Sequence, residues 1–123
     1  MAEKRDPTLR VTMLPRDTNA RGTIFGGVIL SHVDLAGAIV AAQLGSRNFV
    51  TRAIHEVDFI APVYVGDIVS LYASVLKRGK TSVTIKVDVE AERLKEPGIR
   101  VKVTAAEVVY VAVDESGRPT AIA

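Results

Sequence analysis

Apolar and polar residues alternate most strictly over residues 83–92, where Val83, Ile85, Val87, Val89 and Ala91 are separated by Thr84, Lys86, Asp88, Glu90 and Glu92. A period of two over this length predicts a strand with one buried and one wet face. Leu9-Arg10-Val11-Thr12-Met13-Leu14 alternates in the same way before Pro15, predicting a short strand that ends in a loop. Phe49 to Pro62 and Ile68 to Leu76 are strand-like in content, with Pro62, Gly66 and Asp67 marking the turn between them. Lys77-Arg78-Gly79-Lys80 predicts a hairpin turn in which Gly79 supplies the positive φ of a tight connection. Leu94-Lys95-Glu96-Pro97-Gly98 predicts the next turn, and Ile99 to Val113 the last strand. The second half of that strand, Val108-Val109-Tyr110-Val111-Ala112-Val113, is apolar on both faces. It belongs in the middle of a sheet with its second face covered too, and another subunit is one such cover.

One segment has a different pattern. Gly26 to Ala42 is apolar almost all round and far too long for a buried strand, so it predicts a helix, closed by Gly45. The order is therefore strand, long helix, then four strands joined by tight turns. An antiparallel sheet of about five strands wrapped around one long central helix accounts for it, an α+β arrangement known as the hot-dog fold. Residues 1–123 are read as a single domain of this kind, with 1–7 a flexible arm.

The helix carries a carboxylate, Asp34, amid Val33, Leu35, Ala36 and Gly37. Burying an unpaired carboxylate costs several kcal/mol, about the net stability of a small domain, so a chain that keeps one has a use for it. The alternative is an aspartate satisfied by a neighbouring group or placed at an exposed gap. Upstream, Asp17-Thr18-Asn19-Ala20-Arg21-Gly22-Thr23-Ile24-Phe25-Gly26-Gly27 places an amide side chain and two glycine amides before the acid. A helix N-terminus presents unpaired N–H groups, and glycine lets a ligand approach them closely. Asn19, taken alone, reads as an ordinary turn residue.

Composition narrows the function. A net charge of +2 with acids and bases interspersed gives no electrostatic footprint for duplex nucleic acid. The absence of cysteine removes disulfides, thiolate catalysis and cysteine-ligated metals, and a reducing, cytoplasmic setting is the simplest expectation. His32 and His55 are two histidines without a triad constellation, and no metal site is expected. The N-terminus has the form of neither a signal peptide nor an anchor, and the longest apolar run is too short and too interrupted for a membrane span. A chain of 123 residues is marginal for enclosing a whole active site, so self-assembly is expected.

The run from Leu14 to Gly27, followed by Asp34-Leu35-Ala36-Gly37, resembles the signature of small bacterial hot-dog acyl-CoA thioesterases, relatives of the brain acyl-CoA hydrolases. The resemblance continues through Asp58-Phe59-Ile60-Ala61-Pro62-Val63-Tyr64-Val65-Gly66-Asp67 and Gly79-Lys80-Thr81-Ser82, and so spans nearly the whole chain. It implies hydrolysis of acyl-CoA to a carboxylic acid and coenzyme A, with no cofactor beyond the coenzyme A of the substrate. It also implies a homo-oligomer, a dimer at least, with three dimers in a hexamer. Asp34 then acts as general base or nucleophile, two routes the sequence leaves open. Asn19 reaches it from the partner subunit and holds water or thioester, and the Gly27 amide polarises the thioester carbonyl.

The same resemblance places Ile24, Phe25, Gly26 and Phe59 at the substrate, and makes Arg78, Gly79, Lys80, Thr81 and Ser82 the turn that meets the nucleotide phosphates. Ile60 and Val63 fit an acyl tunnel or plain core, and Arg47 and Arg52 fit a further cationic contact or a solvated surface. Phe25 stands where some relatives carry histidine, so no histidine acid is expected. That also counts against a hot-dog hydratase or dehydratase. The joint presence of Asp34 and Asn19 counts against a non-catalytic acyl-CoA sensor.

Overall fold

Val83, Ile85, Val87, Val89 and Ala91 line one fully buried face of a strand that runs from Ser82 to Glu92. A computed structural model describes residues 6–45 and 48–122; the first five residues of the expected arm, and Arg47, lie outside the described residues. Five strands, β1 (Leu9–Thr12), β2 (Asn48–His55), β3 (Ile68–Arg78), β4 (Ser82–Glu92) and β5 (Arg100–Val113), form one antiparallel sheet in the order β1-β3-β4-β5-β2. One helix, α1 (Gly26–Ala42), packs on its curled face, giving the α+β hot-dog arrangement expected from the pattern. β5 is indeed interior, between β4 and β2.

The sheet takes only one stripe of the helix. Ile29, Val33, Ala36, Gly37 and Ala41 are buried, a spacing that keeps them on one face, while Leu35 is 51% exposed. A helix apolar all round therefore keeps apolar surface open within the protomer.

Three details differ from the sequence pattern. β2 stops at His55, where Glu56 takes a φ of 61°, so Phe59 to Pro62 form an irregular segment beyond the strand. The hairpin after β3 turns without a positive φ at Gly79, whose N–H instead donates to the Ser82 carbonyl at 2.8 Å. α1 ends on bonds from Gln43 and Leu44 to the Val40 and Ala41 carbonyls, before Gly45. The use of Gly45 lies elsewhere: a Cβ there would stand 2.8 Å from the carbonyl oxygen of Ile122, because the C-terminal tail crosses the helix end at that point. Among the described residues no helix is long and apolar enough to cross a membrane.

Candidate active site

The loop before α1 is built around Asn19. Its side-chain carbonyl accepts from the Arg21 and Thr23 N–H groups at 2.8 and 3.3 Å, and its amide donates to Thr23 Oγ1 at 2.9 Å. Within one protomer Asn19 therefore shapes its own loop, with a second amide proton unclaimed among the described residues. Farther on, the Phe25 N–H donates to the Asp17 carbonyl and the Ile24 N–H to that of Val63. These bonds aim the chain into the helix. Ile24 and Val63 are both buried in the core.

Phe25 caps α1 from an extended conformation with no side-chain hydrogen bond, so Gly26 and Gly27 hold the first, uncapped amides of the helix. Each glycine has an exposed ring beside it. A Cβ on Gly27 would stand 2.6 Å from Phe25 Cε2, and one on Gly26 would stand 3.6 Å from Phe59. Phe25 and Phe59 are 57% and 46% exposed and form an apolar lip at these amides, and Ile60, next to Phe59 in the chain, is 64% exposed.

Asp34 lies seven residues beyond Gly27, nearly the same face and about 10 Å along the axis. The expectation of a buried, unpaired acid is corrected here. Asp34 is half-buried, and its Oδ1 accepts from Thr51 Oγ1 at 2.6 Å and from the Tyr110 hydroxyl at 3.1 Å. Oδ2 accepts no hydrogen bond among the described residues. The Tyr110 hydroxyl also lies 2.6 Å from the Asp34 carbonyl oxygen, so one phenolic proton serves both acceptors. Tyr110 is fully buried, and its ring lies against the helix at Gly37, where a Cβ would stand 2.3 Å from the phenol oxygen. Burial, then the charge of Asp34, then the hydrogen bond to it, push the Tyr110 phenol above its ordinary range, against a smaller opposing effect of the Ala38 backbone.

Thr51 and Tyr110 were not singled out from the sequence. For Tyr110 a signal existed: a tyrosine in an apolar, interior strand needs a partner for its hydroxyl, and a glycine three residues after the acid leaves room for one. For Thr51 none existed, because only the pairing of Thr51 with Tyr110 across β2 and β5 brings it to the helix.

The basic turn sits at the other end of α1. Arg78, Gly79 and Lys80 are exposed, Thr81 and Ser82 half-buried, and the Lys80 carbonyl accepts from Ile122, the residue that packs on Gly45. The glycine amides and the basic turn of one protomer are thus about a helix length apart, roughly 25 Å. His32 Nδ1 pairs with the Val28 carbonyl at 2.9 Å. Arg52 and His55 are exposed on β2.

Residues 21–97 match the thioesterase superfamily. The chain is 44% identical over 113 residues to the acyl-CoA thioester hydrolase YciA of Salmonella typhimurium, covering 90% of this chain and 85% of that one. It is 43% identical over 119 residues to the YciA of Escherichia coli K12, covering 95% and 90%. Among solved structures, a hexameric hotdog fold thioesterase of Campylobacter jejuni superposes with a TM-score of 0.90 at 41% identity, over 97% of this chain and 91% of that one. A hexameric broad specificity acyl-coenzyme A thioesterase superposes with a TM-score of 0.91 at 41% identity, over 100% and 84%.

Proposed function

This chain belongs to the thioesterase superfamily, and from that membership we propose that it hydrolyses acyl-CoA to a carboxylic acid and coenzyme A in sites shared between protomers. The observation that carries the chemistry is the state of Asp34: one carboxylate oxygen is held by two hydroxyls, and the other is unclaimed among the described residues. As a base, Oδ2 takes a proton from water while the water oxygen bonds to the thioester carbonyl carbon. Negative charge collects on the carbonyl oxygen, which the uncapped Gly27 amide, with Gly26 beside it, receives; such a donor contributes about 3–4 kcal/mol to the transition state. Collapse then breaks the C–S bond, and the proton held by Asp34 goes to the departing sulfur. A thiolate leaves far more readily than an alkoxide, so departure of the sulfur does not depend on a histidine acid at position 25. As a nucleophile, Oδ2 instead bonds to the carbonyl carbon and expels the thiolate, and water cleaves the resulting anhydride.

The spacing within one chain favours two protomers per site. A carbonyl carbon lies about 1.2 Å from its oxygen, so an acid that acts on a carbonyl held by Gly27 belongs close to it, whereas Asp34 of the same chain is about 10 Å along the helix. The proposed site therefore takes Asp34 from a neighbouring chain, with Asn19 on the loop that leads to Gly27. The exposed Phe25, Phe59, Ile60 and Leu35 support the same reading, as surface that a second copy would cover. A hexamer of three dimers is the assembly in this proposal, with the Arg78–Ser82 turn at the coenzyme A phosphates.

Thiol release from acyl-CoA of short, medium and long chains tests the reaction class. Asp34→Asn is expected to lower kcat by at least about a hundredfold with coenzyme A still bound; retained turnover overturns the assignment. Mixing Asp34→Ala with Asn19→Ala subunits is expected to restore activity, and silence after demonstrated subunit exchange defeats the shared site. In a single turnover in ¹⁸O-water, label entering Asp34 marks cleavage of an aspartyl anhydride and with it the nucleophile route.

A further inference from the structure

We propose that Tyr110 is a positioning residue for this hydrolysis: its hydroxyl, admitted to the helix through the gap at Gly37, fixes the Asp34 side chain so that Oδ2 is presented to the reacting thioester. The proposal rests on the assignment of Asp34 to the reaction. Its basis is the way three elements meet. Thr51 on β2 and Tyr110 on β5 are direct partners across the sheet, and both aim hydroxyls at Oδ1, at 2.6 and 3.1 Å. A carboxylate held at one oxygen from two strands has its rotamer determined, and its second oxygen keeps a fixed direction.

A tether serving the fold alone would need only the Asp34 carbonyl, which the phenol reaches at 2.6 Å; the same hydroxyl reaches the carboxylate as well. Among the described residues nothing else of its kind is at hand. The helix-facing positions of β4, Val83 to Ala91, and Val69, Leu71 and Ala73 on β3 are apolar. On β2, Arg52 and His55 are exposed, and on α1 His32 is turned to the Val28 carbonyl. Among the described residues Tyr110 is therefore the titratable group that the strands packed on α1 present to Asp34. Gly37 completes the argument, since any side chain there would occupy the place of the phenol oxygen.

Tyr110→Phe keeps the ring and removes the hydroxyl. A hydrogen bond to a charged group is worth enough for a loss of kcat of about tenfold to a hundredfold, with KM for acyl-CoA within about twofold. Gly37→Ala, which displaces the same hydroxyl without deleting it, lowers kcat in the same way with KM again held. A purely structural Tyr110 would lower the melting temperature and leave kcat where it was, and that result overturns the proposal. Asp34→Asn separates the two levels of inference. If it remains fully active, the hydrolysis reading fails and takes this one with it; if it is inactive while Tyr110→Phe behaves as the parent, only the role of Tyr110 is lost.

Discussion

Gly37→Ala sets helix propensity against packing, and the structure decides which wins. In an exposed helix interior, alanine in place of glycine stabilises by about 1 kcal/mol. At position 37 the new Cβ would stand 2.3 Å from the Tyr110 phenol oxygen and 2.9 Å from Cε2 and Cζ. Ordinary contact begins near 3.4 Å, so the shortfall at the oxygen is 3.4 − 2.3 = 1.1 Å. Tyr110 cannot simply swing aside, because it is fully buried in an interior strand. Overpacking of this kind costs about 1–3 kcal/mol, and displacement of the phenol from Asp34 adds about 1 kcal/mol. The expected net effect is a destabilisation of about 1–3 kcal/mol, opposite in sign to the propensity effect. Thermal melts of parent and variant at one protomer concentration measure it, since assembly makes the midpoint concentration-dependent. In a Tyr110→Phe background the contact at the oxygen is gone and those at the ring carbons remain, so the alanine should cost less, by about 1 kcal/mol. A Gly37→Ala protein that melts at or above the parent temperature, with no coupling to Tyr110→Phe, would refute the packing described at this point of the helix.

Asp67 is buried at 2% exposure, accepts from the Tyr64 N–H and pairs with Arg93, whose guanidinium also meets the Pro62 carbonyl and the Tyr64 ring. Asp67→Ala leaves a mostly buried cation unpaired, and about 3 kcal/mol of stability, or about 10 °C in the melt, should be lost; a shift under about 2 °C would mean the pair carries little. Lys80→Glu should raise KM for acyl-CoA severalfold with kcat little changed, and an unmoved KM would make the hairpin a solvated turn. Because the folded state holds the Tyr110 proton above the ordinary value of about 10, the unfolded chain releases it first as pH rises. The folded state then binds more protons, and stability falls from about pH 10 upward. Tyr110→Phe lacks that contribution, so its melting temperature should decline less steeply than the parent's over about pH 9–11; equal slopes would contradict the burial and pairing of the phenol.

Local pattern was enough for the elements and their order. The alternation from Val83 to Ala91 announces β4, the continuous apolar content of Gly26 to Ala42 announces the helix, and the two-faced apolar end of β5 announces an interior strand, because these signals arise from burial that each segment needs for itself. The position of Asp34 on that helix was equally legible. Its environment was not. Thr51 is 17 residues away in the chain and Tyr110 is 76, and only the pairing of β2 with β5 brings their hydroxyls to one carboxylate oxygen. Gly37, Gly45 and Gly79 carry the same lesson: composition reads glycine as backbone freedom, whereas at Gly37 and Gly45 the fold uses the missing Cβ to let another chain segment approach, and at Gly79 it makes the turn without a positive φ. Side-chain type and periodicity are properties of a segment; which distant groups satisfy a charge is a property of register, and register exists only once the sheet has closed around the helix.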